Sequence, residues 1–199
     1  MNRLFVFLAF FIGPVLLSSV VSCDSCRDSQ PYRYRVERYE PVLQRSTDRN
    51  AYDLGTPIPL TRTLTNGDSI RYKALEIGLQ GREVLASRSV GGFALYACDP
   101  AVTPISRINQ LTVTSDQSYN ARFKAGDDLS ELMVIGHSSL NQQPLATFLN
   151  GAQPTADSYI VLRFAEPTDR VAAHRFTIRV QTDGGQVMES QTESVIITP

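Results

Sequence analysis

The sequence has no tryptophan, three cysteines and two histidines among its 199 residues. Without an indole it lacks the largest flat surface on which sugar rings stack. Two histidines, His137 and His174, and one Cys-x-x-Cys spacing, Cys23 with Cys26, give poor grounds for a structural metal site. There is no glycine-rich phosphate loop and no His-Glu-x-x-His helix. Charge of either sign is not in excess: 19 basic against 20 acidic side chains leave a formal net charge of −1. That balance gives no electrostatic reason to expect nucleic acid or anionic headgroups as partners. Internal repeats, low-complexity stretches and the strand–helix rhythm of a parallel α/β sheet are also missing. No cofactor is expected.

What is present begins at the amino terminus. Arg3 is followed by an uncharged, largely apolar run over 4–22, the layout of a secretory signal. The run is about long enough to span a bilayer, but Gly13-Pro14 interrupts it and Ser18, Ser19 and Ser22 thin its apolar character. The closing residues Val20-Val21-Ser22-Cys23 resemble the lipobox of bacterial lipoproteins. The resemblance implies acylation of the Cys23 thiol, cleavage before it, and a mature chain running from Cys23 to Pro199. Two other readings of the same residues are a spanning helix, and an ordinary cleaved signal with Cys23 as a structural thiol. One acyl chain holds a protein only marginally, whereas the multiply acylated cysteine that the resemblance implies is a lasting tether. Residues 23–31 are then a polar, lipidated leash, and 32–199 form a single domain. The membrane, reached through that lipid, is the first expected partner. An extracytoplasmic location follows, with the outer membrane or cell surface favoured over the inner membrane.

With Cys23 lipidated, Cys26 and Cys98 remain in an oxidising compartment. A Cys26–Cys98 disulfide is the resulting expectation, with two free thiols as its rival. It would close a loop of roughly 70 residues and contribute about 4 kcal/mol by the chain-entropy estimate.

Beyond residue 31 the dominant period is two. Tyr32, Tyr34 and Val36 alternate with Arg33, Arg35 and Glu37, the pattern of a half-buried strand. The same interleaving of tyrosine and arginine could serve as a nucleic-acid platform, but alternation sends the two residue types to opposite faces. Residues 41–59 are rich in breakers. Asn66-Gly67 predicts a two-residue hairpin turn, followed by a strand whose apolar phase switches near Ala74, through a bulge or a bend between two shorter strands. Phe93 to Cys98 reads as a central strand. Residues 111–114 and 119–123 alternate again. Asp127 to Met133 is the best helix candidate, with Leu129 and Leu132 on one face, and 138–157 is mostly loop. The carboxy-terminal part predicts strands around Ile160-Leu162-Phe164 and Phe176-Ile178-Val180, a turn at Asp183-Gly184-Gly185 and a return ending in Val195-Ile196-Ile197. About eight closely spaced strands and one short helix predict an all-β fold, an antiparallel β-sandwich of immunoglobulin-like or related Greek-key type.

Two motifs invite chemistry. Gly136-His137-Ser138-Ser139-Leu140 resembles the nucleophile elbow of α/β-hydrolases, and Asp157 or Asp169 and then His174 follow in that family's chain order. Leu140 occupies the place of the second glycine, and a loop follows instead of a helix. Asp127, Asp128 and Glu131 supply hard oxygens suited to calcium, but without a regular ligand spacing, and acidic residues also suit a helix start. As a whole, Cys23 with Cys26, the segment ending Cys98-Asp99-Pro100 and the hairpin from Phe176 to Val195 look like small lipoproteins of Bacteroidetes-type bacteria. That resemblance implies a β-rich envelope protein and supplies no catalytic residues. The expected function is therefore a non-catalytic cell-envelope lipoprotein presenting a β-sandwich to an envelope protein partner or assembly. The alternative is a ligand-binding module for a glycan or small molecule, with tyrosines as anchors. A serine hydrolase acting through Ser138 is the remote third.

Overall fold

The computed structural model describes residues 32–46, 62–85, 102–136, 142–151 and 155–199. The chain divides into two compact units, Met1–Tyr34 with Leu85–Thr103, and Arg35–Val84 with Pro104–Pro199. Cys23, Cys26, Cys98, His137 and Ser138 lie outside the described residues, as does the segment Phe93 to Cys98. The larger unit carries most of the described structure.

That structure is β throughout, with one short helix. β1 (Tyr32–Arg45), β2 (Arg62–Thr63), β3 (Ser69–Arg71) and β4 (Leu75–Leu85) come first. β5 (Val102–Pro104), β6 (Ile108–Ser115), β7 (Met133–Gly136) and β8 (Gln143–Pro144) follow, and then the helix α1 (Leu145–Leu149). β9 (Tyr159–Phe164), β10 (Ala172–His174), β11 (Phe176–Thr182), β12 (Val187–Gln191) and β13 (Val195–Thr198) complete the order. The strands form three sheets: a large one in the order β2-β1-β4-β9-β7-β8, and two of three strands, β10-β13-β3 and β12-β11-β6.

Alternation explains how the large sheet and the β12-β11-β6 sheet meet. On β4 and β9 the buried Leu75, Ile77, Leu79, Ile160, Leu162 and Phe164 occupy every second position, so they share one face. β11 buries Phe176, Ile178 and Val180, and β6 buries Leu111 and Val113. The two faces touch where the rings of Phe164 and Phe176 lie 5.2 Å apart. This is a sandwich-like packing of the sheets around one apolar core. Each fully buried side chain of this size stabilises the fold by about 1.5–3 kcal/mol relative to exposure.

Local details depart from the sequence expectations for identifiable reasons. β1 continues through Pro41, and its buried phase passes from Tyr34 and Val36 to Tyr39 and Leu43 across the exposed pair Glu37-Arg38. Asn66-Gly67 does make a turn: Gly67 has φ +85°, and the Asp68 carboxylate accepts from the Thr65 amide at 2.9 Å. It does not make a hairpin. β2 pairs with β1, whereas β3 runs parallel to β13, with Ile70 opposite Ile197. The phase switch near Ala74 is a bend, a single 3-10 turn at Tyr72–Ala74. Residues 127–133 hold only a 3-10 turn, Ser130–Leu132, leading directly into β7. Leu129 and Leu132 are buried there as their spacing predicts. The helix is instead α1, in the stretch expected to be loop. The hairpin of β11 and β12 is as expected, with Gly185 at φ +78° in its turn, but β13 then leaves to join β10 and β3. Among the described residues no helix is long and apolar enough to cross a membrane.

Candidate functional site

Two loops at one end of the core build the most organised polar feature. The first, residues 116–128, leaves β6; the second, residues 165–171, joins β9 to β10. Residues 119–123 alternate like a strand in sequence, yet here they fold into a tight loop. The Asn120 side-chain oxygen accepts from the amides of Arg122 and Phe123, each at 3.0 Å, and the Tyr119 amide donates to the Phe123 carbonyl at 3.0 Å. Such local side-chain bonding offers the backbone an alternative to a sheet ladder.

The second loop is tied to the first at several points. Buried Thr168 donates its hydroxyl to the Tyr119 carbonyl at 2.7 Å. The Asp169 amide donates to that same carbonyl at 3.3 Å, and the Asp169 carboxylate accepts from the Ala121 amide. Tyr119 donates its own hydroxyl to the Glu166 carbonyl at 2.9 Å. Burial, with smaller contributions from Tyr72 and Glu166, pushes that hydroxyl well above the ordinary tyrosine range, so it is a neutral donor at any physiological pH.

Between the loops lies a cleft of about 410 Å³, within the usual range for small-molecule sites. Ser118, Asn120, Lys124, Asp169 and Arg170 line it above Tyr119. Lys124 and Arg170 are exposed, and neither side chain has a hydrogen-bond or ion-pair partner among the described residues. Arg122, by contrast, is neutralised by Glu131 at 2.8 Å and Glu166 at 3.5 Å.

Beneath the cleft the Tyr119 ring stacks on Phe164 at 4.7 Å and approaches His174 at 5.8 Å. His174 in turn stacks on Phe176, with planes 3° apart. Its side chain is fully enclosed. Nδ1 pairs with the buried Ser115 hydroxyl at 2.9 Å, and Nε2 has no partner among the described residues. Protonated imidazole needs acceptors at both nitrogens. Burial therefore lowers the His174 pKa, a shift that Asp116 opposes and Arg170 reinforces. The partner of His174 is thus a serine, not Asp157 or Asp169, and the Asp–His half of a hydrolytic triad is not assembled.

The acidic residues suited to calcium are otherwise engaged. The Asp127 carboxylate accepts from the Lys124 amide at 2.6 Å, Asp128 from the Ser130 amide at 2.9 Å, and Glu131 holds Arg122. Among the described residues no cluster of three or more metal-ligating side chains is found.

A second polar constellation sits on the other face of the large sheet. Glu76 and Arg163 are directly opposed across β4 and β9 and form a nearly enclosed ion pair. Ser46 accepts from Arg163 Nη2 at 3.1 Å. Gln142, turned so that its amide oxygen faces the guanidinium, accepts from Nη1 at 2.6 Å and Nε at 3.0 Å. With Glu76, Ser46 and Gln142 all accepting from it, the guanidinium ties β4, β9 and their flanking segments together.

The sequence matches no protein-family model and no curated protein. Among solved structures it is similar to CopC from Methylosinus trichosporium OB3b, at a TM-score of 0.30 and 10% identity, over 68% of this chain and 86% of that one. A likeness this slight carries nothing about ligand or role.

Proposed function

We propose that this protein is a non-catalytic cell-envelope lipoprotein, tethered through lipid on Cys23, whose β-sandwich binds rather than converts. The anchor rests on the sequence alone: Arg3, the apolar run over 4–22 and Val20-Val21-Ser22-Cys23. The binding role is carried by one observation, the cleft between the two cross-tied loops with Lys124 and Arg170 at its rim, both without a partner among the described residues. Two of its polar groups, Asn120 and Asp169, are held in place by backbone amides, which favours capture of a small ligand over docking of a flat protein surface. The hydrolase reading is weakened because His174, the base it requires, is sealed from solvent. A partner protein in the envelope, and a Cys26–Cys98 disulfide joining the start of the domain to its body, remain part of the proposal.

The test is intact mass and fractionation of the full chain expressed in a lipoprotein-processing bacterium. The expected product begins at Cys23, carries added acyl mass and sediments with membranes, and its Cys23→Ala variant does not. With Cys26 and Cys98 paired, the product is also lighter by a pair of hydrogens than the reduced form. A wild-type protein without acyl mass, or a Cys23→Ala variant that still sediments, refutes the anchor.

A further inference from the structure

We propose that the cleft between residues 116–128 and 165–171 binds an acidic saccharide, a monosaccharide-sized body of hydroxyl groups bearing one carboxylate. This rests on the ligand-capture reading above and adds the ligand's chemistry.

The charge of the lining comes first. Lys124 and Arg170 contribute two positive charges and Asp169 one negative, so the cleft as lined by these groups carries a net excess of one cation. A mono-anion restores neutrality, whereas a neutral sugar or a zwitterionic amino acid leaves the excess in place. Both cations lack a protein partner among the described residues, so a ligand carboxylate need not displace an existing ion pair. A guanidinium matches a carboxylate with two parallel N–H···O bonds, and an ammonium adds a point charge.

The remaining groups suit hydroxyls. The Asp169 carboxylate spends one oxygen on the Ala121 amide, and a carboxylate has acceptor capacity at both oxygens. Ser118 and the Asn120 amide nitrogen are donors on the same lining. The frame that carries them is rigid. Thr168, Asp169 and Tyr119 lock the loops to each other, and the Asn120 carbonyl oxygen fixes the bend. A preorganised frame loses little conformational freedom on binding. With no tryptophan in the chain and Tyr119 fully covered, neither residue offers a ring for stacking a sugar, so charge and hydrogen bonds must carry recognition. That condition favours an acidic sugar over a neutral one.

Calorimetric titration of the full chain in detergent, with glucuronate, glucose and alanine as probes, tests the assignment. The expected result is saturable binding of glucuronate that weakens as salt rises, with glucose and alanine at least tenfold weaker. Lys124→Gln and Arg170→Gln should each raise the glucuronate Kd about tenfold, as expected for loss of one charged hydrogen bond. Arg179→Gln, at an exposed position of the paired strand β11 and outside the cleft lining, should leave it unchanged. Both cleft side chains are exposed and without a partner among the described residues, so these variants keep the fold. Glucose binding as tightly as glucuronate overturns the acidic assignment and leaves ligand capture standing. Alanine binding best overturns the saccharide. Glucuronate binding that both cleft variants leave within twofold overturns the location. No heat with any probe overturns this inference, while a ligand later recovered at the unmodified cleft would preserve the broader reading.

Discussion

Lowering the pH from 7.5 to 5.5 should destabilise this protein through His174, and the size of the effect follows from its surroundings. The imidazole is enclosed, stacked on Phe176, bonded at Nδ1 by Ser115 and, among the described residues, without an acceptor at Nε2. Its folded pKa is lowered, mainly by burial. A lowered histidine pKa means that the unfolded chain binds the proton first. Stability is then fully present above the unfolded value of about 6.5 and falls as pH drops below it, at about 1.4 kcal/mol per pH unit, until the folded pKa is reached. At pH 5.5 protonation of the unfolded imidazole favours unfolding by at most about 1.4 kcal/mol, the limit reached when the enclosed ring binds no proton. For a chain of this length that is a fall in Tm of roughly 3–6 °C.

The assay is urea unfolding at half-unit steps of pH, for the wild type and for His174→Asn. Asparagine keeps a polar atom near the Nδ1 position, within reach of Ser115, and cannot be protonated. Its absolute stability will be lower; the quantity compared is the slope with pH. Wild type should lose stability between pH 7.5 and 5.5, and the variant should lose up to about 1.4 kcal/mol less over the same window. Equal slopes would refute the reasoning. So would an NMR titration placing His174 at or above 6.5 in the folded protein.

Two further substitutions probe the framework. Arg163→Met leaves the Glu76 carboxylate nearly enclosed without its cation and should cost about 3 kcal/mol in urea unfolding, whereas Glu76→Leu with Arg163→Leu together should recover most of that loss; a double variant as unstable as the single one contradicts it. Gly81→Ala places a methyl 3.0 Å from Val36 Cγ2 and 3.1 Å from the Ser158 backbone, where the Gly81 amide already donates to the Ser158 carbonyl at 2.7 Å. It should cost about 1–3 kcal/mol, and an unchanged urea midpoint would show that the strands separate more readily than their packing implies.

Much of the sheet content was legible because alternation is a local signal. Tyr34 and Val36, or Phe176, Ile178 and Val180, announce their buried face without reference to any distant residue. Pairing is not local. Nothing around Ile70 says that it will lie opposite Ile197 instead of folding back across Asn66-Gly67. Tyr119 to Phe123 alternates as a strand does, yet Asn120 caps its own neighbours and the tyrosine ring is drawn under Phe164. Leu145 to Leu149 is a short apolar group amid polar residues and breakers, too brief for a helical period to register. The cleft was hidden for a related reason. Lys124 and Arg170 stand in loops remote from each other in sequence, and only the bonds that Thr168 and Asp169 make to the first loop bring them together. His174 did attract notice, but as a member of a triad. Its enclosure between Tyr119 and Phe176 is a property of strand ends and a loop, which no spacing in the chain records.

The parallel contact of β3 with β13 has a temporal side. A ribosome releases residue 70 long before residue 197, so β3 must wait, its ladder groups open, until β13 has emerged. During this interval it is an unzipped edge that other extended segments can poach. Any machinery that handles the nascent molecule gains by shielding that edge until its distant partner has been made.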